Sequence, residues 1–60
     1  MDTSTKTEYY HSMTTPHGRY RFEEWSDGWR LYKMHKDGVE ILKTNINEDE
    51  MFNIIKLLRS

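Results

Sequence analysis

Three glycines stand ten residues apart in this 60-residue chain and divide its middle into segments of equal length. Each glycine ends a short polar triplet: Pro-His-Gly at 16–18, Ser-Asp-Gly at 26–28 and Lys-Asp-Gly at 36–38. Such triplets are typical of hairpin loops, because glycine takes the positive φ that ends a three-residue loop and aspartate favours the position before it. The segments between the triplets are rich in aromatic and branched residues. The pattern therefore predicts a β-meander with three-residue loops.

A further strand is expected before the first triplet. Residues 8–15 alternate loosely and contain Tyr9, Met13 and two β-branched threonines, so they could pair with residues 19–25. Residues 1–7 are polar and show no periodicity, which indicates a flexible N-terminal tail. We therefore expect a tail at 1–7 and a single domain at 8–60.

The segment after Asn45 changes to a helical period. Asn47 is a favoured N-cap residue, Glu50 stands at the capping-box spacing, and Ile46 can contact Met51 as a hydrophobic staple. An apolar stripe follows at Met51, Phe52, Ile54, Ile55 and Leu58. A short isolated helix is marginally stable, so this stripe must pack on the sheet. The predicted fold class is α+β: a three- to four-stranded antiparallel β-meander with one C-terminal α-helix packed on one face.

The loop length decides which side chains share a face. A three-residue loop pairs Trp25 with Trp29, so that Phe22 faces Tyr32. A two-residue turn at 27–28 would instead set Phe22 opposite Lys33 and scatter the apolar residues over both faces. The three-residue register is therefore preferred, and it predicts the following set beneath the helix: Tyr20, Phe22, Tyr32, Met34 and Leu42.

The opposite face of the sheet is predicted to remain open and to bind a partner. Its predicted binding residues are Arg19, Arg21, Trp25, Trp29, Leu31, Lys33, Ile41 and Lys43. Exposed tryptophans beside arginines are enriched at contact surfaces. The alternative is purely structural, with long basic side chains covering the tryptophan rings through cation–π contacts. The sequence leaves both interpretations open and slightly favours binding.

Composition limits the classes of protein that this chain can belong to. Sixty residues bury only about 60% of the surface of the unfolded chain, so we expect marginal stability. The chain contains no cysteine, and its net charge is −1, which is not typical of a nucleic-acid-binding protein. No apolar run is long enough to span a membrane. We expect a soluble, cytoplasmic protein that does not associate with membranes.

Enzyme chemistry finds no support in the motifs. Glu23 and Glu24 are adjacent on a strand and point to opposite faces, so they cannot act as a carboxylate pair. The three histidines lack metal-ligand spacing, and no phosphate-binding or nucleophile motif is present. Turn chemistry explains Asp27 and Asp37, and the helix start explains Glu48, Asp49 and Glu50. We therefore predict no catalytic residue, no cofactor and no metal.

Two kinds of partner remain. A three-stranded sheet followed by a helix resembles the sheet-reading DNA-binding domains of the plant AP2 type and of some phage and transposon integrase arms. The residues that suggest this are Tyr20, Arg21, Trp25, Trp29 and the junction from Thr44 to the helix. This resemblance implies nucleic-acid binding through the sheet, but it assigns no family, because Glu23 and Glu24 stand where those domains carry basic residues. The net charge of −1 also opposes approach to phosphates.

Together these patterns predict a small non-enzymatic interaction module that binds another protein as an inhibitor, adaptor or regulatory subunit. Nucleic-acid binding through the same basic and aromatic face is the alternative. Self-association into a homodimer is a third outcome that the sequence leaves open.

Overall fold

Four strands and one helix account for most of the chain in the computed structural model, which describes residues 3–60. The elements are β1 (Lys6–Thr15), β2 (Gly18–Trp25), β3 (Gly28–His35), β4 (Gly38–Ile46) and α1 (Glu48–Arg59). The strands form one antiparallel sheet in the order β1-β2-β3-β4. This architecture confirms the predicted fold class.

The first strand is longer than expected. β1 begins at Lys6, so two residues of the predicted tail belong to the sheet. The backbone N–H of Thr5 also donates to the Ser26 hydroxyl at 2.9 Å, which ties the chain before β1 to the β2–β3 loop. The rest of the tail prediction falls partly on Met1 and Asp2, which lie outside the described residues.

The loop between β2 and β3 is one residue shorter than predicted. Trp25 pairs with Gly28, so only residues 26 and 27 lie in the loop, and Phe22 faces Leu31 instead of Tyr32. The other two hairpin loops also contain two residues. The predicted three-residue register is therefore wrong. Because side chains alternate between faces, a shift of one residue moves every β3 side chain to the opposite face.

Gly28 shows why the glycine belongs to the strand and not to the loop. Its φ is +126°, and a Cβ at this position would lie 3.1 Å from the carbonyl oxygen of Ile46. Glycine is thus required where the start of β3 approaches the end of β4. Gly18 also has a positive φ, as its triplet predicts, whereas Gly38 does not.

The pairing of β3 with β4 shifts twice along the strand. Leu31 faces Lys43 and Trp29 faces Ile46. At each shift, β4 therefore contains one extra residue that has no partner on β3. Asn45, which lies within the second shift, has a φ of +54°. Such bulges rotate the following side chains to the other face. Lys43 and Ile46 therefore lie on the helix side, and the prediction that Lys43 lies on the open face is wrong.

The hydrophobic core lies between α1 and the sheet. Its buried members come from all five elements: Met13, Tyr20, Phe22, Leu31, Ile46, Met51 and Ile55. Tyr20 and Phe22 were correctly placed there by the sequence. The prediction that Tyr32, Met34 and Leu42 lie beneath the helix is wrong. The register shift turns Tyr32 and Met34 away from α1, and Leu42 is exposed on the edge strand.

The start of α1 follows the prediction closely. The backbone N–H of Glu50 donates to Oδ1 of Asn47 at 2.8 Å, which confirms Asn47 as the N-cap. The Glu50 carboxylate accepts from the Asn47 side-chain amide at 3.1 Å and from the Lys43 ammonium at 3.3 Å. Ile46 and Met51, on either side of the cap, are both buried in the core. The cap therefore fixes the angle at which α1 leaves the sheet.

Candidate functional site: the open face of the sheet

The face of the sheet that points away from α1 is covered by no other element in residues 3–60. Opposed residues of neighbouring strands share a face, so the observed register identifies the side chains of this surface, which we call the open face. They are Lys6, Tyr10, Ser12, Thr14, Arg19, Arg21, Glu23, Trp25, Arg30, Tyr32, Met34, Val39 and Ile41.

Four of the eight predicted binding residues lie on the open face. Arg19, Arg21 and Trp25 are on β2, where the predicted alternation is correct, and Ile41 precedes the first shift in β4. Their positions agree with the sequence interpretation. Their role in binding stays a prediction.

Three others lie on β3 and point to the opposite side. Leu31 is only 6% exposed within the core, and Trp29 packs against the core beneath α1. The Lys33 ammonium lies 5.7 Å from the centre of the Tyr20 ring on that same side. The prediction that Trp29, Leu31 and Lys33 lie on the open face is wrong, because the two-residue loop reverses the orientation of β3.

Arg30 takes the position on the open face that was predicted for Trp29. Its guanidinium carbon lies 3.8 Å from the centre of the Trp25 ring, and its Nη2 lies 3.8 Å from Oδ2 of Asp27. The indole Nε1 of Trp25 and the Nε of Arg30 are buried without a hydrogen-bond partner in the described chain. The stack is therefore well packed but incompletely hydrogen-bonded. Each unpaired buried donor costs about 1–3 kcal/mol.

Arg21 forms a second stacked pair on the same surface. Its guanidinium carbon lies 4.3 Å from the centre of the Tyr10 ring. The Glu23 carboxylate lies 3.2 Å from the Nε of Arg21 and 3.4 Å from the Lys6 ammonium. The Glu23 oxygen does not lie along the N–H direction of Arg21, whose Nε remains without a hydrogen bond in the described chain. One carboxylate is therefore shared by two cations. The N–H donors of these cations that it does not use can bind another acceptor.

A shallow hollow of about 330 Å³ opens beside Arg21. Arg19, Arg21 and Met34 line it, together with the short side chains of Ser12 and Thr14. Arg19 is exposed and makes no ion pair or hydrogen bond through its side chain within residues 3–60. Guanidinium groups act only as donors, and hydroxyl groups can also donate. The hollow can therefore accept a carboxylate or phosphate group.

The charge of the open face differs from that of the whole protein. Lys6, Arg19, Arg21 and Arg30 stand against Glu23, with Asp27 in the adjoining turn. The surface thus carries an excess of at least two positive charges, although the net charge of the chain is −1. Positive potential is concentrated on this face, and negative charge gathers at the start of α1.

An apolar strip adjoins the basic part of the open face. Tyr32 and Met34 of β3 are half-buried, and Ile41 and Val39 lie opposite them on β4. Val39 is 56% exposed and Ile41 is 58% exposed. Because β4 is an edge strand, its outer backbone groups are also unpaired in the sheet. Exposed apolar side chains next to a basic surface can bury area against a partner.

Metal-binding sites, membrane-spanning helices and similarity to known proteins were each sought. No group of three or more His, Asp or Glu residues in the described chain is arranged to hold a metal ion. The single helix is too short and too polar to cross a membrane. Comparison with known proteins gave no match: no family model fits the chain, and no curated protein or solved structure is similar enough to count as a relative.

Proposed function

We propose that this protein is a small non-enzymatic interaction module that binds an acidic surface of another protein through the open face. An inhibitor, adaptor or regulatory subunit acts in this way. The observation that carries the proposal is the juxtaposition of the basic hollow and the apolar strip on one uncovered surface. We further propose that the protein meets its partner in the cytoplasm; a chain without cysteine has no disulfide that reducing conditions could break.

Preorganised arginines support this proposal. Ordering a flexible side chain on binding costs about 0.5–1.5 kcal/mol. Arg21 and Arg30 are already held against the rings of Tyr10 and Trp25, so less of this cost remains. Their stacked guanidinium groups can still offer N–H donors to carboxylates at the rim. Binding therefore begins from a surface that is close to its bound form.

The apolar strip supports a protein partner over other ligands. Fully burying a Val or Ile side chain contributes about 1.5–3 kcal/mol relative to leaving it exposed. Val39 and Ile41 are more than half exposed, so a partner that covers them gains part of this amount. Protein interfaces combine such an apolar centre with a polar rim in which arginine is enriched.

Matched charge reversals test this proposal. Immobilised wild-type protein is expected to retain a partner from a lysate of its native host, whereas an Arg19→Glu variant loses it. Arg59→Glu carries the same change at the exposed end of α1, away from the open face, and is expected to retain the partner. Equal capture by all three proteins would refute binding through the open face.

A second pair of variants examines the apolar strip. Ile41→Asn removes an exposed apolar side chain from the open face, and Leu57→Asn removes one from α1. Only the first is expected to weaken capture of the partner. If Leu57→Asn weakens capture equally or more, the binding surface lies on the helix.

Nucleic-acid binding is a second candidate because the hollow between Arg19 and Arg21 could also receive a phosphate. Nucleic-acid affinity falls steeply between about 50 and 200 mM salt, whereas docking through apolar groups changes much less. A salt titration of the purified interaction therefore separates the two partners. Sedimentation of the isolated protein at increasing concentration tests whether the open face pairs with a second copy instead.

A further inference from the structure

A cleft of about 440 Å³ lies on the helix side of the sheet, between β1 and the first half of α1. The helix leaves this part of the sheet uncovered, because its closest approach to the sheet is over β3. Aromatic residues from three different elements line the cleft, among them Tyr9 from β1, Trp29 from β3 and Phe52 from α1. Tyr10 and His11 of β1 also line it. Its volume falls within the range of small-molecule sites.

Packing in the core accounts for only part of the surface of these aromatic side chains. Tyr9 is 63% exposed and Phe52 is 52% exposed, although both are large and apolar. Trp29 is partly buried against the core, while its side chain also forms part of the cleft. Met51 and Ile55, which are buried core residues, line the same space. The cleft therefore combines an apolar base with exposed aromatic rings.

Two carboxylates give the cleft a negative charge. Glu24 and Glu48 line it together with His11, so the carboxylates outnumber the one imidazole, and no lysine or arginine lines the cleft in the part of the chain that the structure describes. One Glu24 oxygen accepts from the Thr7 hydroxyl at 3.0 Å, and Glu48 makes no ion pair within residues 3–60. Glu48, Asp49 and Glu50 in the first turn outweigh the partial positive charge of the helix start.

We propose that this cleft binds a small organic cation, an ammonium group that carries alkyl substituents. Such a cation is attracted to the faces of aromatic rings, and its alkyl groups bury apolar surface. The carboxylates of Glu24 and Glu48 complement its charge. A neutral ligand would remove water from these carboxylates without giving them a partner, and an anion would be repelled. The cleft lies on the opposite side of the sheet from the open face, with Tyr10 bordering both, and the proposal does not depend on the function proposed there.

The two tryptophans provide an internal control for a direct test. Choline chloride is titrated into the ¹⁵N-labelled protein, and the indole N–H signals are followed by NMR at constant ionic strength. We expect the Trp29 signal to shift with saturation at millimolar choline and the Trp25 signal, on the opposite face, to stay in place. Absence of a Trp29 shift, or equal shifts at both tryptophans, would overturn the proposal.

A neutral ligand of the same shape isolates the contribution of the charge. In 3,3-dimethylbutan-1-ol a carbon atom replaces the ammonium nitrogen of choline. We expect it to bind about tenfold more weakly than choline, the factor that a cation–π contact of ordinary strength supplies. Equal affinity of the two compounds would show that the cleft is apolar without selectivity for cations, which would contradict the proposal.

Three variants assign the binding to the cleft. Phe52→Ala and Glu48→Gln are each expected to weaken choline binding several-fold, whereas Leu57→Ala, an exposed position outside the cleft, leaves it unchanged. Glu48→Gln preserves the shape of the side chain, so it tests the charge even if truncation at Phe52 disturbs the helix. Unchanged affinity in both cleft variants would place the cation elsewhere.

Discussion

The guanidinium carbon of Arg30 lies 3.8 Å from the centre of the Trp25 ring, on the face of the sheet opposite to Trp29. The two tryptophans, which are close in the sequence, therefore have different surroundings. Trp25 belongs to a stacked pair on the open face. Trp29 packs between the sheet and α1 and contributes to the core.

Alanine substitution should distinguish these two tryptophans. We expect Trp29→Ala to lower the free energy of unfolding by about 3 kcal/mol, because it removes a large side chain that packs against the core. Trp25→Ala should cost about 1–2 kcal/mol through the lost stack with Arg30 and should also abolish partner binding. Urea unfolding measures both free energies. A larger loss of stability for Trp25→Ala would show that the open face, and not the helix side, holds the main core.

Phe22 is fully buried, so its truncation should be the most damaging single change in the sheet. Phe22→Ala is expected to cost about 3–5 kcal/mol, a large share of the stability of about 5–15 kcal/mol that native proteins have. Phe52→Ala makes the same chemical change at an exposed position and should cost less than about 1 kcal/mol. Circular dichroism during urea unfolding compares the two variants, and similar costs would contradict the assignment of the core.

The glycines offer a matched test of the register. Gly28→Ala should destabilise the protein by about 1–3 kcal/mol, because the new Cβ meets the Ile46 carbonyl and the positive φ disfavours alanine. Gly38→Ala has no atom within 4 Å of the new Cβ and no positive φ, so it should be neutral or slightly stabilising. Thermal unfolding of both variants would reveal the difference. Equal effects would mean that Gly28 does not contact the end of β4.

The helix cap can be tested with the same substitution at two positions. Asn47→Ala removes the acceptor for the Glu50 backbone N–H and should cost about 1 kcal/mol. Asn53→Ala, at an exposed position within α1, should be neutral or stabilising because alanine favours the helix interior. Asn47→Asp should retain most of the stability, since aspartate is an equally good N-cap. Helical circular dichroism during thermal unfolding reports these effects. Unchanged stability of the Asn47→Ala variant would contradict a stabilising role for this cap.

The helix could be predicted from the sequence because its signals are local. The N-cap, the acidic first turn and the apolar stripe depend only on residues within a few positions of one another. The prediction located the cap at Asn47 and the start of the core-facing stripe at Met51, and the structure agrees at both positions. The predicted meander of three to four strands agrees with the four strands observed, since each strand is bounded by its own turn residues.

The register could not be predicted because it depends on contacts that the local sequence does not show. A glycine after Ser-Asp fits a three-residue loop as well as it fits a close approach between strands. The deciding contact is between Gly28 and Ile46, which are far apart in the sequence. The two shifts in β4, with Asn45 at positive φ, have no turn signature either. The shorter loop and each shift in β4 displace the strand pairing by one residue. Each displacement reverses which side chains face the core.

The same effect explains why only half of the predicted binding residues lie on the open face. The β2 residues depend on alternation alone and were placed correctly, whereas those of β3 and late β4 depend on loop length and bulges. Arg30 and Tyr32 were missed for that reason. The basic and aromatic character of the open face nevertheless survives the correction, because basic and aromatic residues occur at both parities of β3.

The meander order of the sheet has a consequence for how quickly the chain reaches its native state. Every strand pairs with the one that directly precedes or follows it, through loops of two residues. Closing such short loops costs little chain entropy, and folding is fast when contacting residues are close in the sequence. We therefore expect single-exponential refolding at the fast end of the range for sheet proteins, with successive hairpins forming before the helix docks and completes the molecule.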